Sequence, residues 1–324
     1  MARSPILNQE ERRQSVAAIL RGVLSRYGLA DAVNEHELQF RTQVIVENPG
    51  DRRLSDAILN AMFPRHETPA ELFHYTTLAG LKGIAASREL RLYHLRKRID
   101  QGELIEFARV HRLRGYLEST EGEPYYRELS DDIFYASFVS LDQRDEGSMW
   151  DLFAKGTGVR VGFRLEPKIT DLRPIQYDAP FRTLLRELND TLDAAGEPPF
   201  LPWTISRIGA TYLPSTLRTE EEVRLMLKRY EPDQNEMFRF DGEDEYFSIP
   251  IGQENEFCRI EVVNITPGPS AQIADVQAAV METGPFCASS TGTAQTGRNW
   301  VRGQGGHPLM KQGRSGISFS ACGP

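Results

Sequence analysis

Residues 133–163 constrain the fold more than any other stretch of this chain. Two apolar runs, 133–139 and 159–163, are too short for ordinary helices, and between them lie an acidic polar stretch and one short helical segment, 148–154. Gly147 precedes that helix, and Gly156 and Gly158 follow it where the chain must turn. The pattern predicts strand, loop, short helix, buried strand. The same alternation of short apolar runs with Gly and Pro punctuation continues from residue 72 to about 268, which points to a mixed α/β or α+β domain.

Length and charge set the outer limits. At 324 residues, 40% hydrophobic and 26% charged, the chain is able to bury a substantial core. Its 38 basic and 46 acidic residues give a net charge of −8, which argues against sequence-independent clinging to nucleic acid by the whole protein. Cys258, Cys287 and Cys322 are odd in number, widely spaced and without a C-x-x-C, so neither a disulfide framework nor a zinc site is indicated and no metal is expected. Charged residues at 10–13 interrupt any secretory apolar region, and no run of about 18 apolar residues occurs. A cytoplasmic location without membrane insertion is the expectation.

Residues 1–71 read as a small helical N-terminal subdomain. Val16, Ile19, Leu20, Val23 and Leu24 form a helical stripe that Gly28 ends, and two shorter apolar-periodic segments, 38–46 and 54–62, follow before Pro64. It would serve as a packing cap or as a partner-binding appendage. From residue 269 to 324 large apolar residues thin out, and a poorly ordered or loosely docked tail is expected, above all over 285–324.

Three blocks carry candidate chemistry. His74-Tyr75-Thr76 ends an apolar run directly before a small-residue helix. Phe138-Val139-Ser140 leads to Ser148-Met149-Trp150, where an aromatic on a helix would either stack on a flat cationic ring, worth about 0.5–2 kcal/mol, or fill the core. Glu220-Glu221-Glu222-Val223-Arg224 runs three carboxylates into an apolar segment. Either they form a solvated helical turn, or Glu222 opens a strand and Arg224, on the same face by period two, pairs with a neighbouring carboxylate. Arg91 and Arg96, within 91–98, and a second basic stretch at 109–114 suit phosphate contacts or a solvated helix face.

Together these blocks resemble an uncharacterised, mostly bacterial family of domains of unknown function that reads His-Tyr-Thr, then Phe-x-Ser with a downstream Met-Trp, then Glu-x-Glu-x-Arg. The resemblance covers roughly residues 72–268 and includes Leu172-Arg173-Pro174-Ile175-Gln176-Tyr177; it departs from the family at Ile99-Asp100-Gln101-Gly102-Glu103, where relatives show Asn-Asp-Pro before the Glu. That family in turn is similar to ADP-ribosyltransferases, nearest in layout to DNA-targeting toxins and RNA 2′-phosphotransferases. The resemblance implies an α+β fold with a split mixed sheet and flanking helices over 72–268. It implies NAD as substrate, Glu222 as the catalytic residue, and His74, Tyr75, Thr76, Ser148 and Trp150 around NAD. Ser140, Glu220 and Arg224 would support them, and Arg91 and Arg96 would meet phosphates or an acceptor.

Two functional classes follow from that resemblance. One is ADP-ribosyl transfer or NAD hydrolysis by a bacterial toxin or antiphage effector, with a nucleic acid or protein acceptor. The other is a catalytically inactive module of the same fold that binds a nucleotide or a protein. Phosphate transfer from RNA would need more convergent basic residues than Arg91 and Arg96. A glycosidase using Glu220 and Glu222 fails, because residues two apart on a strand lie about 6–7 Å apart on one side of any bond. No Walker-type loop or Rossmann glycine fingerprint is present.

Overall fold

The computed structural model describes residues 9–48, 50–96, 104–110, 127, 130, 132–140, 146–177, 183–213, 215–229, 236–281 and 317–318. The elements begin with α1 (Gln9–Leu24), β1 (Leu38–Phe40), β2 (Ile45–Glu47), α2 (Arg53–Met62), β3 (Ala70–Thr76), α3 (Leu78–Ser87), β4 (Glu89–His94), α4 (Ile105–Val110) and β5 (Ile133–Val139). They continue with α5 (Glu146–Ala154), β6 (Val159–Pro167), β7 (Asp171–Pro174), β8 (Gln176–Tyr177), α6 (Leu184–Ala194), α7 (Ile205–Ala210) and β9 (Tyr212–Leu213). Last come β10 (Glu222–Lys228), β11 (Phe238–Asp241), β12 (Asp244–Pro250), β13 (Cys258–Pro267), α8 (Ile273–Met281) and β14 (Ile317–Ser318). The fold is α+β, with antiparallel strands and flanking helices. Two compact units comprise Met1–Glu67 with Arg91–Ser137 and Ile169–Ser248, and Thr68–Leu90 with Phe138–Lys168 and Ile249–Pro324.

In the second unit β6 lies between β3 and β13, antiparallel to both. Its register pairs Thr76 with Val159 and Ala70 with Leu165 on one side, and Val159 with Pro267 on the other. Thr77 caps α3 by accepting the Gly80 amide hydrogen at 3.1 Å. Glycine is demanded at 158, where an added Cβ would lie 2.2 Å from the Thr76 carbonyl oxygen. Helix α8 packs on α3, so part of the stretch read as a tail is helical; residues 285–324 lie outside the described residues apart from 317–318.

The first unit holds the larger core. Leu20 and Leu24 of α1, Ile58 and Leu59 of α2, and Leu185, Leu188 and Leu192 of α6 are buried together with Phe107, Phe200 and Ile208. The helices and hairpin of 9–62 therefore share one core with helices from 184–210. That segment is not wholly helical. Residues 38–47 form an antiparallel hairpin, because Ile45 and Val46 are β-branched and the connection between the two apolar runs is too short for a helical turn in each. Glu47 at its end caps α2, accepting the amide hydrogens of Leu54 and Ser55, each at 2.8 Å, and the Ser55 hydroxyl. Burial pushes the Glu47 carboxyl up, against the pull of the Ser55 hydrogen bonds.

Within this unit the strands run in the order β11, β12, β4, β5, β10, β7. The β11–β12, β4–β5 and β10–β7 ladders are antiparallel; among the described residues parallel pairing is seen in the small β8–β9 ladder and at an isolated Ile45–Phe200 bridge. The expected mixed sheet is thus an antiparallel one. Strands β7 and β10 place Arg173 opposite Arg224, both fully buried. Directly opposed like charges repel, so each needs its own counter-charge. Asp171 supplies it for Arg173 at 3.1 Å and also receives Arg207 at 2.6 Å and Arg65 at 3.1 Å. Arg173 further donates to the Phe63 carbonyl and to Asn60 Oδ1 at 2.9 Å, and Arg207 reaches Asp56 at 2.9 Å, tying α2 to the sheet.

Burial works against the Asp171 carboxylate, yet the charges of Arg173, Arg207 and Arg65 outweigh it and hold the carboxyl below its ordinary value. A depressed folded-state pKa contributes stability that is present above the unfolded value, about 4, and is lost as pH falls through the folded one. Urea unfolding should show Asp171→Asn less stable than the parent by roughly 3–5 kcal/mol at neutral pH, with the gap closing below about pH 4.

Candidate functional site

Strand β10 presents the most chemically loaded face of the described structure. Glu222, Arg224 and Lys228 alternate on it by period two, with Met226 between the last two. Arg224 Nε donates to Glu222 Oε1 at 2.8 Å and Nη2 donates to Oε2 at 3.0 Å, a bidentate fork within one strand. Glu222 is 3% exposed and Arg224 is 0% exposed. Both alternatives left open by the sequence are thereby decided: Glu222 opens a strand, and the carboxylate Arg224 pairs with is Glu222 itself.

Neighbouring elements complete the setting. On β5 the Ser137 hydroxyl donates to Glu222 Oε1, and two residues earlier Tyr135 lies under the Arg224 guanidinium at 4.5 Å. Arg224 Nη1 donates to the Ala210 carbonyl at the end of α7 at 2.7 Å. The start of β10 is pinned by its backbone: the Glu222 amide donates to the Tyr177 hydroxyl at 2.9 Å, and its carbonyl accepts the Ile175 amide hydrogen at 2.8 Å. Burial pushes the Tyr177 phenol up, helped by the charges of Glu222 and Glu220. At the far end Lys228 Nζ donates to Ser206 Oγ at 2.9 Å, and burial lowers its ammonium to about 8.

The two carboxylates before Glu222 differ from it. Glu220 is buried at the end of a 3-10 turn, and Glu221 takes a left-handed backbone conformation at φ 42° before the strand begins. A non-glycine residue there is strained by about 1–3 kcal/mol. Glu221 is half-buried and Glu222, the next residue, is buried.

The remaining predicted residues fall in two places. Arg91 and Arg96 belong to the first unit; Arg91 pairs with Asp241 at 2.8 Å and sits over the Tyr246 ring at 4.4 Å, while Arg96 is exposed. Of the basic stretches around them, residues 97–98 and 111–114 lie outside the described residues. The second unit holds His74, Tyr75 and Thr76 on β3, Ser140 just past β5, and Ser148 and Trp150 on α5. His74 lies 5.9 Å from the Phe138 ring. Trp150 is 3% exposed and meets Tyr75 edge-on at 4.8 Å, within a cluster of Phe73, Val139, Met149 and Ala154. Of the two readings the sequence left open, it packs as a core side chain.

Sequence reasoning missed Ser137, Tyr135 and Tyr177. Two signals were available. Tyr135 and Ser137 share one face of a seven-residue strand, and Asp171-x-Arg173 repeats the spacing of Glu222-x-Arg224. Among the described residues no group of three or more His, Cys, Asp or Glu side chains is placed to hold a metal ion, and no helix is long and apolar enough to cross a membrane.

Compared with family models, with curated proteins and with solved structures, the chain matches none. The likeness to the domain family and to ADP-ribosyltransferases therefore rests on the quoted motifs.

Truncating Trp150 to Ala should cost about 3–5 kcal/mol in a denaturant titration, as expected for a large buried aromatic. A residue that only contacts a ligand would lose far less.

Proposed function

We propose that this chain acts on NAD, transferring its ADP-ribosyl group to an acceptor or hydrolysing it, with Glu222 as the residue that faces the reacting ribose. The observation that carries the reading is the fixing of Glu222 on the first position of β10 by Arg224 and Ser137. Breaking the glycosidic bond of NAD releases nicotinamide and leaves an oxocarbenium-like ribose. A carboxylate paired with a guanidinium and held in one orientation stabilises that charge without reorganising as the bond breaks. It would also accept a ribose hydroxyl hydrogen bond or draw a proton from the incoming nucleophile. Ser137 and Arg224 act through Glu222 as positioning residues. His74, Tyr75, Thr76, Ser140, Ser148 and Glu220 keep the roles the resemblance implies, Arg91 and Arg96 those of acceptor or phosphate contacts, and a bacterial toxin or antiphage setting would suit such chemistry.

One observation favours the second reading, an inactive module that binds a nucleotide or a protein: at 3% exposure Glu222 is enclosed by its own partners. In that case the pair is architecture alone, and fold does not imply activity.

Purified protein incubated with NAD should release nicotinamide, and Glu222→Gln should lower the rate by about 10²–10³-fold, the usual loss when one transition-state charge contact is removed. Circular dichroism of the variant separates lost chemistry from lost folding. Absence of release together with absence of NAD binding by calorimetry would leave the module reading in place.

A further inference from the structure

Strand β11 is the outermost strand of the first unit's sheet, and among the described residues it pairs only with β12. Its register sets Phe238 opposite Phe247, Arg239 opposite Tyr246, Phe240 opposite Glu245 and Asp241 opposite Asp244. The Ser248 amide donates to the Met237 carbonyl at 2.8 Å, so residue 237 belongs to a hydrogen-bonded pair. In an antiparallel ladder bonded and non-bonded pairs alternate. Residues 239 and 241 therefore turn their backbone groups toward β12, and residues 238 and 240 turn theirs outward along the edge.

The side chains on that edge are unusual. Phe240 is 69% exposed, one of few large apolar side chains so open to water among the described residues. It lies on the same face as Phe238, which packs against Phe134 at 5.1 Å and Phe247 at 4.8 Å, so it prolongs an existing aromatic face. Arg239 and Asp241 occupy the opposite face, both exposed; Asp241 already pairs with Arg91 of its own chain at 2.8 Å and Arg239 Nε donates to the Glu236 carbonyl at 3.4 Å, so a second copy would share these charges with their own-chain partners. Edge strands are commonly blunted by charge. Here the two charges are of opposite sign and flank one residue, an arrangement that antiparallel apposition of identical strands converts from a barrier into a match.

We propose that β11 is a homodimer interface, on which a second copy of this chain adds its own β11 antiparallel about a two-fold axis at Phe240. In that register Phe240 faces Phe240 of the other copy as a hydrogen-bonded pair through its outward backbone groups. Arg239 stands opposite Asp241 of the other copy, and Asp241 opposite Arg239, at the closer spacing of a non-bonded pair, about 4.5 Å between Cα atoms. Phe238 meets Gly242, which leaves room for its ring. Centring the axis on Arg239 would oppose two arginines, so charge selects the register. The contact is one short strand on each side, so it is weak and concentration-dependent.

Sedimentation velocity on the full chain, from about 1 to about 100 µM, tests this. The parent should pass from monomer to dimer across the range. Arg239→Asp and Asp241→Arg should each lower the association constant roughly ten-fold or more, because two attractive cross-strand pairs become repulsive. An equimolar mixture of the two variants should recover it, since each then meets its complement. Phe240→Thr, which keeps strand propensity, should weaken association while leaving the thermal unfolding of the monomer unchanged. A monomer at every concentration, an unchanged mass for Arg239→Asp, or a mixture that associates no better than its parts would overturn the proposal.

Discussion

Two arginines buried directly opposite each other in an antiparallel ladder are the constraint around which the first unit is organised. Arg173 and Arg224 are each fully enclosed, and a guanidinium carries five N–H donors and no acceptor, so each must be answered by oxygens. The chain answers with the same local device on both strands, a carboxylate two residues before the arginine and therefore on the same face: Asp171 on β7 and Glu222 on β10. The strands run oppositely, so the two carboxylates flank the arginine pair from its two ends. Desolvating four charges costs several kcal/mol per ion, and the cost is offset only where nearly every donor and acceptor finds a partner.

Those partners come from distant segments, which is how one electrostatic requirement reaches across the unit. Arg224 draws in the last carbonyl of α7 and the Tyr135 ring of β5, and Glu222 draws in the Ser137 hydroxyl. Arg173 draws in the end of α2, and Arg207 links α7 to both Asp171 and Asp56. The N-terminal segment is thus held by polar contacts as well as by its leucine stripe, and the Glu47 cap fixes where α2 starts. An ion pair embedded this way also orients Glu222 rigidly. That is the property NAD chemistry would draw on, and it is equally what a purely architectural pair provides.

Much of this was legible in the sequence because it depends on spacing. The strand–helix–strand of 133–163 emerges nearly as read, with β5 over the same residues, α5 two residues longer and β6 extended to Pro167. Glu222 at the head of a strand, with Arg224 on the same face by period two, was one of the two readings the spacing allowed, and it is the one found. What escaped depends on apposition between segments far apart in the chain. The apolar residues of 38–46 are too few to separate a helical stripe from a hairpin, and which of the two readings of Trp150 holds turns on its packing with Tyr75 and Val139, a tertiary fact. The role of Asp171 is of the same kind: only the apposition of Arg173 with Arg224 shows why Arg173 needs a carboxylate beside it.

A double-mutant cycle between Glu222 and Arg224, read by denaturant unfolding, tests the central claim most directly. If the pair is a closed unit, Glu222→Gln and Arg224→Met alone each leave a buried polar group without its partner, and the account predicts a coupling energy above about 2 kcal/mol with the double variant more stable than Glu222→Gln. Additive losses, with coupling within about 0.5 kcal/mol, would contradict it and show that the two side chains do not depend on each other.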